Sequence, residues 1–136
     1  MNYFLAKTDP ETYSIENLAA DRKTVWDGVR NPQALRAMRD MRPGDRVLIY
    51  HSMGDARIVG MAKVTSPPRP DPKDEKLTVV DFEFLSLLEP PTTLREIKES
   101  GLFADWALVR QSRLSTMSVP QAFVEWMRKR YGKSKI

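Results

Sequence analysis

Two apolar runs separated by four residues constrain this chain more than any other feature. Arg46–Ser52 reads RVLIYHS and Arg57–Ser66 reads RIVGMAKVTS, with Met53-Gly54-Asp55-Ala56 between them. Each run is too short for a typical helix and rich in β-branched and aromatic residues, and the spacer suits a hairpin. The first run is apolar on both faces, which predicts a strand covered on both sides. Gly60 interrupts the second, where a bulge or sharp bend is expected, as the curvature of a barrel requires.

The remaining segments are arranged around this hairpin. Asn2–Lys7 reads as a first strand that turns at Asp9-Pro10. Ser14 can cap a short helix whose buried face carries Ile15 and Leu18. Thr24–Arg30 has no clear period and is expected as an ordered loop. Asn31-Pro32 starts a helix through Met41, because Asn caps and Pro fits a first position that needs no N–H. In that helix Leu35 and Met38 face inward, Arg36 and Arg39 outward. Pro67–Lys76 (PPRPDPKDEK) reads as a surface loop and Leu77–Ser86 (LTVVDFEFLS) as a strand, with Val80, Phe82 and Phe84 on one face. Thr92 or Thr93 caps a helix closed by Gly101. Ala107–Arg110 and Leu114–Met117 suit short strands. A last helix follows Ser118-Val119-Pro120, with Val119, Ala122, Phe123, Trp126 and Met127 on its apolar face. Strands joined by hairpins and irregular links argue against a doubly wound parallel sheet. The expected fold class is α+β: a small mixed β-barrel with helices on its outside.

The 136 residues suit one domain, 1–136, with an apolar fraction of 41% to build its core. The absence of cysteine removes disulfides, thiolate catalysis and cysteine-held metals. No apolar stretch approaches the roughly 18–20 residues of a membrane span, and the N-terminus lacks the basic start of a signal peptide. The expectation is a soluble, cytoplasmic protein without membrane or metal partners. The net charge of +4 is uneven: from Arg110 onward there are seven basic residues against the single acid Glu125. Residues 128–136 read either as a flexible basic tail or as part of a phosphate-facing strip, and charge alone does not choose.

Most chemistries fail on the residues present. The single histidine, His51, has no carboxylates at metal-ligand spacing. Its neighbour Ser52 points to the opposite strand face, so His51 is badly placed as its base, and no G-x-S-x-G elbow exists. The glycines form neither a dinucleotide fingerprint nor a phosphate loop. Trp106 and Trp126 fit core positions. Trp26 lies among polar residues before a helix start, and its position leaves two readings open: core packing, or a stacking surface with Asp27 and Asn31 as polar readers.

Trp26-Asp27-Gly28-Val29-Arg30-Asn31 resembles the W-D-G-V-R-N signature of the EVE domain family, to which thymocyte nuclear protein belongs. Four further segments match in order. Tyr3–Pro10 resembles the opening strand followed by K-S-E-P. Met41–Arg46 with Tyr50-His51-Ser52 resembles R-x-G-D…Y-H-S. Ile58–Ala62 resembles I-V-G-I-A, and Leu108–Ser115 resembles L-V-R-x-x-R-L-S. The matches span residues 3 to about 120. The resemblance implies a PUA-like fold related to the YTH readers of methylated RNA, and a pocket for a modified base: a methylated or oxidised cytosine, or a methylated adenine. By position, Trp26 would be the stacking wall, with Asn31, His51 and Ser52 lining the pocket, Asp27 beside it and Thr8 at its rim. Pro32 stands where the family often has an aromatic residue, and the segment before Val79 lacks the tryptophan of many members.

These readings imply a nucleic-acid-associated binding module, DNA or RNA, without a cofactor and not an enzyme. Stacking on an aromatic ring is worth about 1–3 kcal/mol per base. A buried methyl adds about 0.8 kcal/mol, so reading a methyl mark also needs shape exclusion. Arg30, Arg110, Arg113, Arg128, Lys129 and Arg130 are the candidate phosphate contacts. The rival readings are a pocket for a free nucleotide or small aromatic metabolite, and an enzyme acting on RNA or nucleotides.

Overall fold

The computed structural model describes residues 1–136. Seven strands and five helices follow in the order β1 (Tyr3–Thr8), α1 (Ile15–Asp21), β2 (Lys23–Trp26), α2 (Pro32–Arg39), β3 (Arg46–His51), β4 (Arg57–Val64), β5 (Arg69–Asp71), β6 (Asp74–Thr93), α3 (Leu94–Ser100), α4 (Ala107–Arg110), β7 (Thr116–Ser118) and α5 (Gln121–Tyr131). All strands join one mixed sheet with the order β2-β6-β4-β3-β1-β7, and β5 pairs with β6. β1 and β3 are parallel; the other pairs are antiparallel. The α+β class is as expected. The barrel is not closed by hydrogen bonds, because no ladder joins β2 to β7. Helix α2 instead packs against both β6 and β7.

Local sequence accounts for the helix starts. Ser14 and Asn17 form a capping box on α1. Thr93 and Glu96 do the same on α3, which Gly101 closes in a left-handed conformation. The Asn31 carboxamide oxygen accepts from the N–H groups of Gln33 and Ala34, and Pro32 fills the first helical position. Asp45 does similar work for the sheet. Its buried carboxylate accepts from the N–H groups of Asn2, at 3.0 Å, and Arg42, at 2.9 Å, tying the start of β1 to the turn before β3.

The expectations for several segments are corrected. Lys23–Trp26 is a strand, because its backbone completes an edge ladder on β6 from Lys23↔Glu83 to Trp26↔Val80. The proline-rich stretch contains β5, a short hairpin arm on β6. Ala107–Arg110 is one helical turn rather than a strand. Residues 128–136 are not a loose tail: α5 runs to Tyr131, Ile136 is buried in the core, and the Tyr3 hydroxyl donates to the Ile136 carbonyl at 2.7 Å. On α5 itself, Phe123, Val124 and Met127 are buried, while Ala122 is exposed and Trp126 half-buried.

One core of 34 buried residues fills the interior. The bend at Gly60 sets its shape. Tyr50 pairs with Ile58 and Ile49 with Gly60, so Val59 is the extra residue of a bulge in β4, opposite β3. A Cβ at Gly60 would lie 2.6 Å from Ile15 Cδ1 and 2.9 Å from the Ser86 carbonyl oxygen. The missing side chain is the space into which α1 inserts Ile15. Gly60→Ala is therefore expected to cost about 1–3 kcal/mol through overpacking, read as a lower urea midpoint at an unchanged m-value. A neutral Gly60→Ala would show that α1 can lift without loss.

Candidate nucleic-acid interface

The parallel ladder ends with Lys7 opposite Tyr50 and Thr8 opposite His51. Ser52 follows directly, and both its N–H, at 3.0 Å, and its Oγ, at 3.3 Å, donate to the Thr8 carbonyl. The Thr8 hydroxyl donates to the Tyr13 carbonyl at 2.8 Å. Tyr13 in turn meets Trp26 edge to face, ring centroids 6.3 Å apart. Thr8, His51 and Ser52 thus form one group, linked to Trp26 through Tyr13.

His51 is 3% exposed. Its Nε2 accepts from the Ile15 N–H at 3.0 Å, so the neutral ring carries its proton on Nδ1. That Nδ1–H is buried with no partner. Burial pushes the imidazole below its ordinary value of 6.5; nearby Glu16 opposes this and Arg57 adds to it. The ring is therefore neutral near pH 7, with its lone pair already occupied, and it is not a free general base.

Trp26 is not the open wall that its position suggested. It is 8% exposed, with one face stacked on Phe82 at 5.0 Å and 28°. Its place on β2 opposite Val80 turns the ring into the core. Asp27, Arg30 and Asn31 are exposed on the segment between β2 and α2 and make no hydrogen bond to the Thr8 group. The Asn31 oxygen is held by its cap, which leaves its amide NH₂ as the free donor.

The basic residues split into two sets. Lys7 is half-buried; its ammonium lies 5.3 Å from the Tyr50 ring centre and donates to the Ser112 carbonyl at 3.1 Å. Its backbone N–H donates to the Ser115 carbonyl. Burial holds its amine below the usual lysine range. These contacts bring the segment carrying Arg110 and Arg113 beside the Thr8 end of β1. Both arginines are exposed; Arg110 lies 3.5 Å from Asp105, and Arg113 has no ion-pair partner. Arg128, Lys129 and Arg130 do not continue this set. Arg128 donates to the Tyr3 hydroxyl, at the opposite end of β1, about 16 Å away at roughly 3.3 Å per strand residue. Arg128 also pairs with Glu125, and Arg130 pairs with Glu96 at 2.6 Å beside the rings of Trp126 and Tyr131. Lys129 is exposed. One continuous phosphate strip is thus excluded by where α5 docks.

A hollow of about 740 Å³ opens elsewhere, among α2, the 101–107 segment and β7, where Phe4, Ala37, Trp106 and Met117 meet Asp40 and Asp105. None of the residues expected in the base pocket lines it, and its only charged residues are the two acids. No group of three or more His, Cys, Asp or Glu side chains is placed to hold a metal. No helix is long and apolar enough to cross a membrane.

The EVE domain model matches residues 2–130. This chain belongs to the EVE domain family. Thymocyte nuclear protein 1 of Mus musculus is 31% identical to it, over 88% of this chain and 69% of that protein. Among solved structures, a protein of Rhodopseudomonas palustris is 35% identical and superposes with a TM-score of 0.90, over 97% of this chain and 94% of that one. Human thymocyte nuclear protein 1, solved in complex with DNA containing 5-methylcytosine, superposes with a TM-score of 0.88 at 24% identity, over 98% and 99%. At that identity the likeness concerns the fold. Tyr13 and Lys7 stand with the Thr8 group, although neither is among the expected site residues. Tyr13 has as its local signal only an aromatic residue just before the Ser14 cap, whereas Lys7 opens the Lys7-Thr8-Asp9-Pro10 stretch that resembles K-S-E-P.

Two outcomes follow from these placements. Trp26→Ala is expected to cost about 3–5 kcal/mol, as for other buried large aromatics, so that a stable, wild-type-like melt would contradict the packing against Phe82. The second concerns pH. A histidine whose folded pKa lies below its unfolded one binds its proton more readily in the unfolded chain. Its contribution is full above the ordinary value of 6.5 and is lost as pH falls below it. Between about pH 7 and about pH 5.5 the wild type should lose more stability than His51→Gln; parallel losses in urea titrations would remove His51 as the cause.

Proposed function

We propose that this EVE domain is a nucleic-acid binding module that holds a modified nucleobase at the Thr8 end of β1. One observation carries the reading. A buried, neutral His51 with an unpaired Nδ1–H stands in one group with Thr8 and Ser52, and the same strand end gathers Lys7, Arg110 and Arg113. An unmatched buried donor costs roughly 1–3 kcal/mol, and a ligand acceptor there would recover it. The human relative's complex with 5-methylcytosine DNA supports the same reading. A methylated or oxidised cytosine comes first, a methylated adenine second; DNA and RNA both fit the phosphate chemistry.

Binding rather than catalysis is favoured because the ring nitrogen a base would use already accepts from Ile15. Stacking is assigned to Tyr13, since the Trp26 ring is packed between Phe82 and Tyr13. In duplex DNA the base must leave the stack, at a cost of a few kcal/mol. The cations at this strand end offset that cost.

Fluorescence anisotropy on matched oligonucleotides, unmodified and carrying each modified base, tests the proposal. One modified strand should bind tighter than its plain counterpart. Arg113→Ala should weaken all strands alike and lower the salt slope by about 0.7–0.9. Equal affinity for every strand, unchanged in Arg113→Ala, would refute the assignment of this strand end.

A further inference from the structure

At the other end of β1 lies a second hollow, of about 540 Å³, walled by Tyr3, Arg46, Arg128, Lys133, Ser134 and Lys135 together with Met1, Leu85, Ser86 and Ile136. Four of these ten residues are cationic and none has an acidic side chain. We infer that this hollow is a phosphate-binding subsite, remote from the base-holding end, that takes phosphate groups of a nucleic-acid backbone.

Three observations support it. First, most of these cationic side chains lack an acidic partner. Arg46, Lys133 and Lys135 have no ion-pair partner, and only Arg128 has one, Glu125 at 3.0 Å. Three unpaired cationic side chains beside Arg128 raise the local potential, which an oxyanion relieves. Second, the anchor is preorganised. Arg128 donates to the Tyr3 hydroxyl at 3.2 Å, and that hydroxyl donates to the Ile136 carbonyl at 2.7 Å. A fixed guanidinium loses little further freedom on binding an anion. Its Nε–H is also buried with no acceptor. Third, the partners are of the right kind. Arg46 uses Nη1 on the Gly44 carbonyl and Lys135 touches the Leu87 carbonyl at 3.5 Å, so most of their donors remain free. Ser86 and Ser134 add hydroxyls. The volume falls in the range of ligand sites, about 300–1,000 Å³.

The chemistry recognised is a phosphate oxyanion, from a polymer backbone or a free phosphate compound. Only the backbone source rests on the nucleic-acid reading above. The hollow and the Thr8 group lie at the two ends of β1, about 16 Å apart, so a strand reaching both must be several nucleotides long.

The test compares wild type with the double variant Lys133→Ala/Lys135→Ala, whose exposed side chains should leave the anion-free melt unchanged. Two measurements are made: the thermal midpoint with added inorganic pyrophosphate, and the affinity for an unmodified single-stranded 12-mer across a salt series. Pyrophosphate should stabilise the wild type and not the variant, through binding to the folded state alone. The salt slope for the 12-mer should fall by about 1.4 in the variant, about 0.7 for each phosphate that is no longer neutralised. Loss of the pyrophosphate effect with an unchanged 12-mer slope would keep the phosphate subsite and assign it to free phosphate compounds. No difference in either measurement overturns the inference. Arg113→Ala run beside it separates the two ideas: failure of the base-holding end alone leaves its pyrophosphate stabilisation intact.

Discussion

The parallel ladder between β1 and β3 holds the two parts of the candidate site in register. Tyr3 stands opposite Arg46 and Thr8 opposite His51. Parallel strands need a crossover between them, and here α1, β2 and α2 supply it. The ladder starts at a fixed place because the Asp45 carboxylate captures the Asn2 N–H. It ends at a fixed place because Ser52 donates back to Thr8. A slip of one residue would turn His51 out of the interior and break the Ile15 hydrogen bond, so the burial of one ring and the pairing of two strands are the same constraint.

Burial also decides the protonation and reach of the groups at that end. His51 is kept neutral by desolvation, and its Nε2 is consumed by the first N–H of α1. The helix can approach that closely because Gly60 has no side chain and leaves room for Ile15. A bend in one strand therefore places the helix that orients the histidine of another. The Nδ1–H left over is a buried donor without a protein partner, and the proposed base contact would satisfy it.

The charges are distributed by the same strand. β1 is short, yet its two ends face different surroundings: the Arg110–Ser115 segment at Lys7, and α5 with the last residues at Tyr3. The basic excess that looks like a single strip in the sequence becomes two patches about 16 Å apart. Part of the α5 charge is held structurally, with Arg130 on Glu96 and against aromatic rings.

The amino-acid sequence by itself determined what depends on near neighbours. The β3–β4 hairpin, the bulge at Gly60, the caps at Ser14, Asn31 and Thr93 and the inward faces of α1 and α2 follow from spacing and backbone chemistry within a few residues. The family was legible too, because its motifs are local strings. What spacing leaves open is which partner each element meets. β2 is a strand only because β6 offers it an edge, and β5 only because β6 is long enough to be paired there as well. Trp26 turns inward because Phe82, 56 positions later, lies beneath it. Arg128 leaves the strip because Tyr3, 125 positions earlier, is where α5 docks. Tertiary structure alone decided these, since burial and long-range pairing are properties of the assembled core and not of any segment in it.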